Sequence, residues 1–223
     1  MQQLSYFRLI SLVGCVYKIV SKIFSVKLKK VFNKVIDARQ STFLEGRGAY
    51  EWCFSGQWSL RWDKEEEKSY VFFKVDFRKA YDSVRWDFIY YMLDRLGFCE
   101  KWISYIKACL ESTLMSVLVN GSPTKEFILI KGLRQGDPLA PFLFLIAAES
   151  LVVMFRTAIE KLLMESLEIG KRMIKGNMLQ YLDDTLFFDK ASIKSMYHIQ
   201  VILNYFDLAS DLKVNFLKSR KAG

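Results

Sequence analysis

Histidine is almost missing from this chain, and that gap closes off several chemistries at once. His198 is the only one among 223 residues, so imidazole-based catalytic triads and zinc sites of the His-Glu-x-x-His kind have almost no source. It lies in an apolar helical pattern and is expected to be structural. Cysteine is sparse too. Cys15, Cys53, Cys99 and Cys109 are scattered without a Cys-x-x-Cys pair, which argues against a zinc knuckle and a disulfide framework. A reducing compartment fits, so the expected location is intracellular, nucleus or cytoplasm, and not secreted. The chain also lacks a run of about 20 apolar residues, the length that spans a bilayer. Its most hydrophobic stretch, Leu139 to Phe155, is shorter and contains Glu149; a buried core helix is expected, and no membrane partner. The apolar N-terminus is interrupted by Arg8 with no clear basic segment ahead of it, unlike a secretory leader. There is no internal repeat and no low-complexity linker.

What the chain has is apolar bulk and positive charge. At 52% hydrophobic residues it can bury a core for one or two closely packed subdomains. Its formal net charge of +9 favours a polyanionic partner, nucleic acid or an acidic membrane surface. Residues 10–36 repeat apolar side chains at three- and four-residue spacing with lysines opposite, which predicts a basic amphipathic helix. The segment 49–68 has no clean period and is expected to be helix, then loop. YVFFKVDF (70–77) reads as a strand that carries Asp76, and 85–98 takes helical spacing through Trp86, Ile89, Leu93 and Leu96, with Gly97 as its stop. A helix over about 99–111 leads to a hairpin turning at Asn120-Gly121. A loop punctuated by glycine and proline opens a long helix; a hairpin at 179–188, a helix near 192–209 and a short strand at LKVNF (212–216) follow. This order predicts an α+β domain with a helix-backed antiparallel sheet of the split βαβ kind.

The hairpin LQYLDDTLFF sets Asp183 beside Asp184 between two apolar runs. Neighbouring residues on a strand point to opposite faces, so the pair serves one site only where the backbone turns, which suggests a hairpin tip. Crowded carboxylates repel each other unless a cation sits between them. Mg²⁺, which takes oxygen ligands from one or two carboxylates, phosphates and waters, fits that position; a solvated Asp-Asp turn is the bland alternative. Asp76 also ends an apolar strand. If the strands adjoin, three carboxylates meet at one sheet edge, the constellation that two-metal phosphoryl transfer uses.

Five segments in order, FRLISLVGCVYKIVSKI with QSTFLEGR, FFKVDFRKAYDSVRWDF, GLRQGDPLAPFLFLIAAESL, LQYLDDTLFF and LASDLKVNFLKS, together resemble the reverse transcriptase domain of non-LTR (LINE-type) retrotransposons, the plant elements most of all. They cover most of the chain except about 49–69 and 156–177. The resemblance implies a polymerase-type palm with a partial fingers subdomain: residues 1–68 as fingers, 69–223 as palm, and a fingers hairpin near 112–134. It implies an RNA-directed DNA polymerase that extends a primer 3′-hydroxyl with deoxynucleoside triphosphates on an RNA template and uses two Mg²⁺ ions. Asp76 matches the first catalytic aspartate, and Asp183 and Asp184 match the family's aspartate pair; all three are the implied metal ligands. Tyr81 matches the aromatic steric gate, Gln135 and Gly136 the loop lining the nucleotide and template pocket, Arg8 a triphosphate clamp, and Lys213 a general acid for pyrophosphate. Asp82 also matches a family aspartate and is assigned to local hydrogen bonding.

Several positions depart from the pattern. Leu9 stands where the family usually has proline, Leu182 where a smaller residue is common, and Asp211 where glycine is usual. Glycine at the last would supply a positive φ that aspartate adopts less readily. By the same resemblance the chain is expected to be an excerpt of a retrotransposon polyprotein without the thumb, endonuclease or cysteine-rich tail. The competing expectation is a catalytically silent remnant that only binds nucleic acid. A third reading, a basic membrane-associated protein, rests on 10–36 and 139–155.

Overall fold

The structure, a computed structural model, describes residues 14–37, 70–112, 114–164, 167–169, 174–181, 184–190, 192–215 and 219–222. In chain order its elements are α1 (Cys15–Val35), β1 (Tyr70–Asp76), α2 (Ala80–Ser83), α3 (Trp86–Arg95) and α4 (Glu100–Glu111), then β2 (Leu114–Met115), β3 (Leu118–Val119), β4 (Ser122–Pro123) and β5 (Phe127–Ile128). After these come α5 (Ala140–Glu160), β6 (Leu167–Ile169), β7 (Ile174–Gly176), β8 (Met178–Tyr181), β9 (Asp184–Lys190), α6 (Ile193–Ser210) and β10 (Arg220–Ala222). Arg8, Asp183 and the segment expected as helix and loop at 49–68 lie outside the described residues. The chain forms two compact units, residues 1–31 with 81–147 and residues 32–80 with 148–223.

The first unit is mainly helical. Tyr17, Ser21, Ser25 and Leu28 form the packed stripe of α1, while Val16, Ile19, Ile23 and Val26 are exposed, so apolar residues sit on both sides of this basic helix. Phe24 stands edge-on to Trp102 at 5.3 Å and stacks on Tyr105 at 6.0 Å, which docks α1 on α4. Along α3, Phe88, Ile89, Met92 and Leu93 are buried at helical spacing, and the chain leaves that helix through Gly97 at φ +83. Between β3 and β4 both turn residues have positive φ, Asn120 at 50 and Gly121 at 81, the geometry that suits a two-residue hairpin turn.

The second unit holds a four-stranded antiparallel sheet in the order β10-β1-β9-β8. Phe155 of α5 stacks on Phe187 at 4.6 Å, and Phe206 of α6 packs against Phe77 at 5.6 Å. Phe187 lies opposite Phe73, in the same alternating set as Val75 and Phe77, so the two helices back one face and Asp76 belongs to the other. Ser192 caps α6 by accepting from the Ser195 N–H at 3.0 Å, and Asp211 ends it in the left-handed region at φ 64. The conformation that glycine would favour there is the one aspartate holds.

Three features differ from expectation. Among the described residues of the strand expected at 212–216, residues 212–215 form a single bridge, Phe77 to Val214, and the edge strand is β10. The hairpin β6–β7 had no sequence signal. Helix α5 runs to Glu160, and at 21 residues it is long and apolar enough to cross a membrane, though most of it is buried inside the protein. Its charge is accommodated: Glu149 is buried, and both its carboxylate oxygens accept from the Asp37 N–H at 3.2 Å.

Candidate active site

Strand β1 ends where β9 begins, and their register sets Asp76 directly opposite Asp184. Directly opposed residues of an antiparallel pair share a face, with Cβ atoms about 4.5–5.5 Å apart. On its other side β9 pairs with β8, Tyr181 opposite Asp184; Asp183 lies outside the described residues. Half-buried Asp76 is fixed through its main chain: its carbonyl accepts from the Asn215 N–H at 2.7 Å, and its N–H meets the Ser219 hydroxyl at 3.4 Å. The return of the chain after α6 therefore buttresses the end of β1. Lys213 lies on that return; its carbonyl accepts from the Arg78 N–H at 2.8 Å, and the exposed residue lines a cavity of about 600 Å³ with Phe73, Arg78, Leu203, Asp207 and Val214. Among the described residues no group of three or more His, Cys, Asp or Glu could hold a metal ion.

Tyr81, Gln135 and Gly136 belong to the first unit. Half-buried Tyr81 stacks on Phe144 of α5 with ring centroids 5.0 Å apart. Its carbonyl accepts from the Leu133 N–H, and Gly132 N–H donates to the Val84 carbonyl at 2.8 Å. The loop before α5 is thereby stitched to α2 and the turn that follows it. Gly132 is required at that stitch, since a Cβ there would stand 2.6 Å from the Asp82 carbonyl oxygen. Gln135 Nε2 comes within 3.5 Å of Asp82 Oδ1, a local polar contact of the kind expected for Asp82. Gly136 is exposed at φ +99, backbone that an L side chain rarely adopts.

Behind this turn lies a buried polar cluster that sequence reasoning missed. Tyr17 donates its hydroxyl to Asp137 Oδ2 at 2.8 Å, and the Arg134 guanidinium lies 4.0 Å from the Tyr17 ring centre. Burial, then the Asp137 carboxylate, pushes the Tyr17 hydroxyl well above the ordinary tyrosine range, and burial also raises the Cys109 thiol. The partners are up to 120 positions apart in the chain, and no local pattern announces them. On the surface, the hydrogen bond from Arg85 holds the Asp87 carboxyl below the usual carboxylate range.

Residues 2–222 match the family of reverse transcriptases, RNA-dependent DNA polymerases. The chain belongs to that family. It is 27% identical over 212 residues to an uncharacterized 149 kDa protein of transposon TX1 from Xenopus laevis, covering 95% of this chain and 16% of that protein. It is 28% identical over 146 residues to a Pol polyprotein of the retrotransposable element R2DM from Drosophila melanogaster, covering 66% of this chain and 14% of that protein. The chain thus spans about a sixth of the length of these curated relatives, and among reverse transcriptases it is a domain of the non-LTR retrotransposon kind. Telomerase from Candida albicans, solved with a fragment of telomeric RNA, shares the fold with a TM-score of 0.64 at 14% identity, over 93% of this chain and 34% of that one. The α+β reading is the architecture found: a helix-backed antiparallel sheet within a reverse transcriptase fold.

Proposed function

We propose that this chain is the polymerase part of an RNA-directed DNA polymerase, which adds deoxynucleoside triphosphates to a primer 3′-hydroxyl on an RNA template with two Mg²⁺ ions. The observation that carries the reading is the register that sets Asp76 across from Asp184 on adjoining strands. Asp76, Asp183 and Asp184 would hold the ions, since Mg²⁺ prefers hard oxygen donors and keeps phosphate and water ligands besides. Ions held there would supply Lewis-acid chemistry, lowering the pKa of a primer hydroxyl and neutralising charge on the triphosphate.

Everything else falls to the chain's own side chains. The Tyr81 ring crowds a ribonucleotide 2′-hydroxyl, and Gln135 and Gly136 line the pocket for nucleotide and template. Arg8 grips the triphosphate with its planar fork, and Lys213 hands a proton to the leaving pyrophosphate. Lysines spread over a chain of net charge +9 bind template and primer phosphates. Residues 69–223 are the palm in this reading, and residues 1–68, with the hairpin near 112–134, supply the fingers.

Purified protein given a DNA primer on an RNA template with deoxynucleoside triphosphates is expected to extend the primer only when Mg²⁺ is present. Asp76→Asn, Asp183→Asn and Asp184→Asn should each abolish extension and leave template–primer binding in place. Extension retained by Asp76→Asn would refute the assignment of the site. Binding without any extension by the parent chain would favour the silent remnant.

A further inference from the structure

The turn at Gln135-Gly136 is anchored at both ends. Arg134 and Asp137 flank it, and the Asp137 N–H donates to the Arg134 carbonyl at 3.2 Å, closing the turn. Both flanking side chains are buried, Arg134 at 8% exposure and Asp137 at 5%, although they carry charge. Arg134 Nη2 donates to the Cys109 carbonyl at 3.0 Å and lies 3.6 Å from Asp137 Oδ2. Asp137 Oδ1 accepts from the Leu139 N–H at 2.9 Å, at the entry to α5. The second oxygen takes the Tyr17 hydroxyl at 2.8 Å, and the face of the Tyr17 ring receives the Arg134 guanidinium at 4.0 Å. One closed cluster therefore ties the turn to α1, α4 and α5.

Burying two charges is costly unless every polar atom finds a partner, and a flexible surface loop would have no need of it. Here the partners converge on the ends of the turn while its crest stays open: Gly136 is exposed and Gln135 half-buried. We infer that Tyr17, Arg134 and Asp137 are positioning residues that hold the Gln135-Gly136 crest at the nucleotide pocket, Tyr17 acting through Asp137. This inference rests on the polymerase reading for its consequence, and on the cluster alone for its mechanics. None of the three touches substrate. Losing the Tyr17 hydroxyl leaves Asp137 Oδ2 with Arg134 at 3.6 Å, longer than a good hydrogen bond, so the turn loses its tie to α1.

The test is Tyr17→Phe, which keeps the ring for Arg134 and removes only the hydroxyl, with Arg134→Lys as a second variant that keeps the charge and loses the planar fork. In primer extension, KM for the deoxynucleotide is expected to rise about tenfold, the scale of one charge-assisted hydrogen bond, with kcat and template–primer affinity nearly unchanged. The double variant should be little worse than the poorer single one, because both act through one turn. A merely structural role would lower the thermal midpoint and leave KM alone; that outcome overturns the inference. Amide hydrogen exchange gives a readout independent of activity. The Asp137 amide should exchange about tenfold faster in Tyr17→Phe, while the Gly97 amide, bonded to the Asp94 carbonyl, keeps its parent rate. If the parent chain fails to extend primers, the polymerase reading falls and faster exchange at Asp137 still upholds the clamp. Unchanged exchange at Asp137 removes it whatever the parent does.

Discussion

Gly132→Ala is expected to destabilise the protein far more than the same change at Gly97 or Gly121. All three glycines have nearly the same backbone, φ +85, +83 and +81 respectively, so each alanine carries the left-handed strain of an L residue, about 1 kcal/mol. The surroundings separate them. Nothing lies within 4 Å of a Cβ at Gly97 or Gly121, whereas at Gly132 it stands 2.6 Å from the Asp82 carbonyl oxygen and 3.0 Å from its carbon. Main chain cannot rotate aside as a side chain would. Relief requires residue 132 to withdraw, and it is held there by its N–H on the Val84 carbonyl at 2.8 Å and by the Trp86 indole N–H on its own carbonyl at 2.6 Å. Weakening two such bonds, one leaving a buried donor short of its acceptor, adds about 2 kcal/mol. The sum is about 3 kcal/mol at Gly132 against about 1 at the other two. For a chain of this length 1 kcal/mol moves the melting temperature by about 2–4 °C. Thermal unfolding followed by circular dichroism should therefore show a drop of about 6–12 °C for Gly132→Ala and about 2–4 °C for each control. Should the three variants melt together, the stitching of the loop to α2 is wrong.

Asp211→Gly relieves the φ of 64 at the end of α6 and should stabilise by about 0.5–1 kcal/mol; a lower midpoint in urea would show that the aspartate side chain contributes more than the strain costs. Tyr17 bears on alkaline stability, because its folded pKa lies above the unfolded value of about 10. Its contribution is complete below pH about 10 and is lost as pH rises beyond it, where the unfolded chain ionises and the folded one does not. Urea midpoints between pH 8 and 11 should fall more steeply for the parent than for Tyr17→Phe, and parallel curves would contradict the burial of the hydroxyl. Tyr81→Val should let ribonucleotides be incorporated in the extension assay, and unchanged sugar discrimination in an active variant would reduce Tyr81 to a packing partner of Phe144.

Periodicity made most elements legible. The alternation of YVFFKVDF, the spacing of Trp86, Ile89 and Leu93, and the Asn120-Gly121 turn each state a local preference that the fold respects. Asp211 was legible as a position wanting positive φ, and it has one. The strand at LKVNF was misread because Leu212 and Val214 are both buried and alternate as strand residues do. What they serve is a crossing beside Asp76 and Arg78, with one bridge and two main-chain hydrogen bonds. Strand β10, three residues of Arg-Lys-Ala, has no apolar alternation to reveal it and exists because β1 offers an edge. Hairpin β6–β7 is equally short. The stripe of α1 was only half legible: Ser21 and Ser25 are buried by returning their hydroxyls to the Lys18 and Lys22 carbonyls, which hides two polar residues inside a packed face. The Tyr17 cluster joins four distant segments, and a pattern read along the chain has no access to that.

The pairing of β1 with β9 also sets when the site can exist. Asp76 and Asp184 are more than a hundred residues apart in the chain, so during synthesis the first aspartate emerges long before the partner that completes its strand pair. Both neighbours of β1 in the sheet, β9 and β10, come from the last forty residues. Until they arrive, an apolar strand with two unsatisfied edges waits without a sheet, the state most prone to pair with another chain. Closing so long a loop adds only slowly growing entropy, yet it makes the contact non-local and its formation slow. The pairing of the two aspartates is therefore expected late in folding, and a lesion within residues 184–222 that disrupts β9 and β10 is expected to leave β1 unpaired with no change in Asp76.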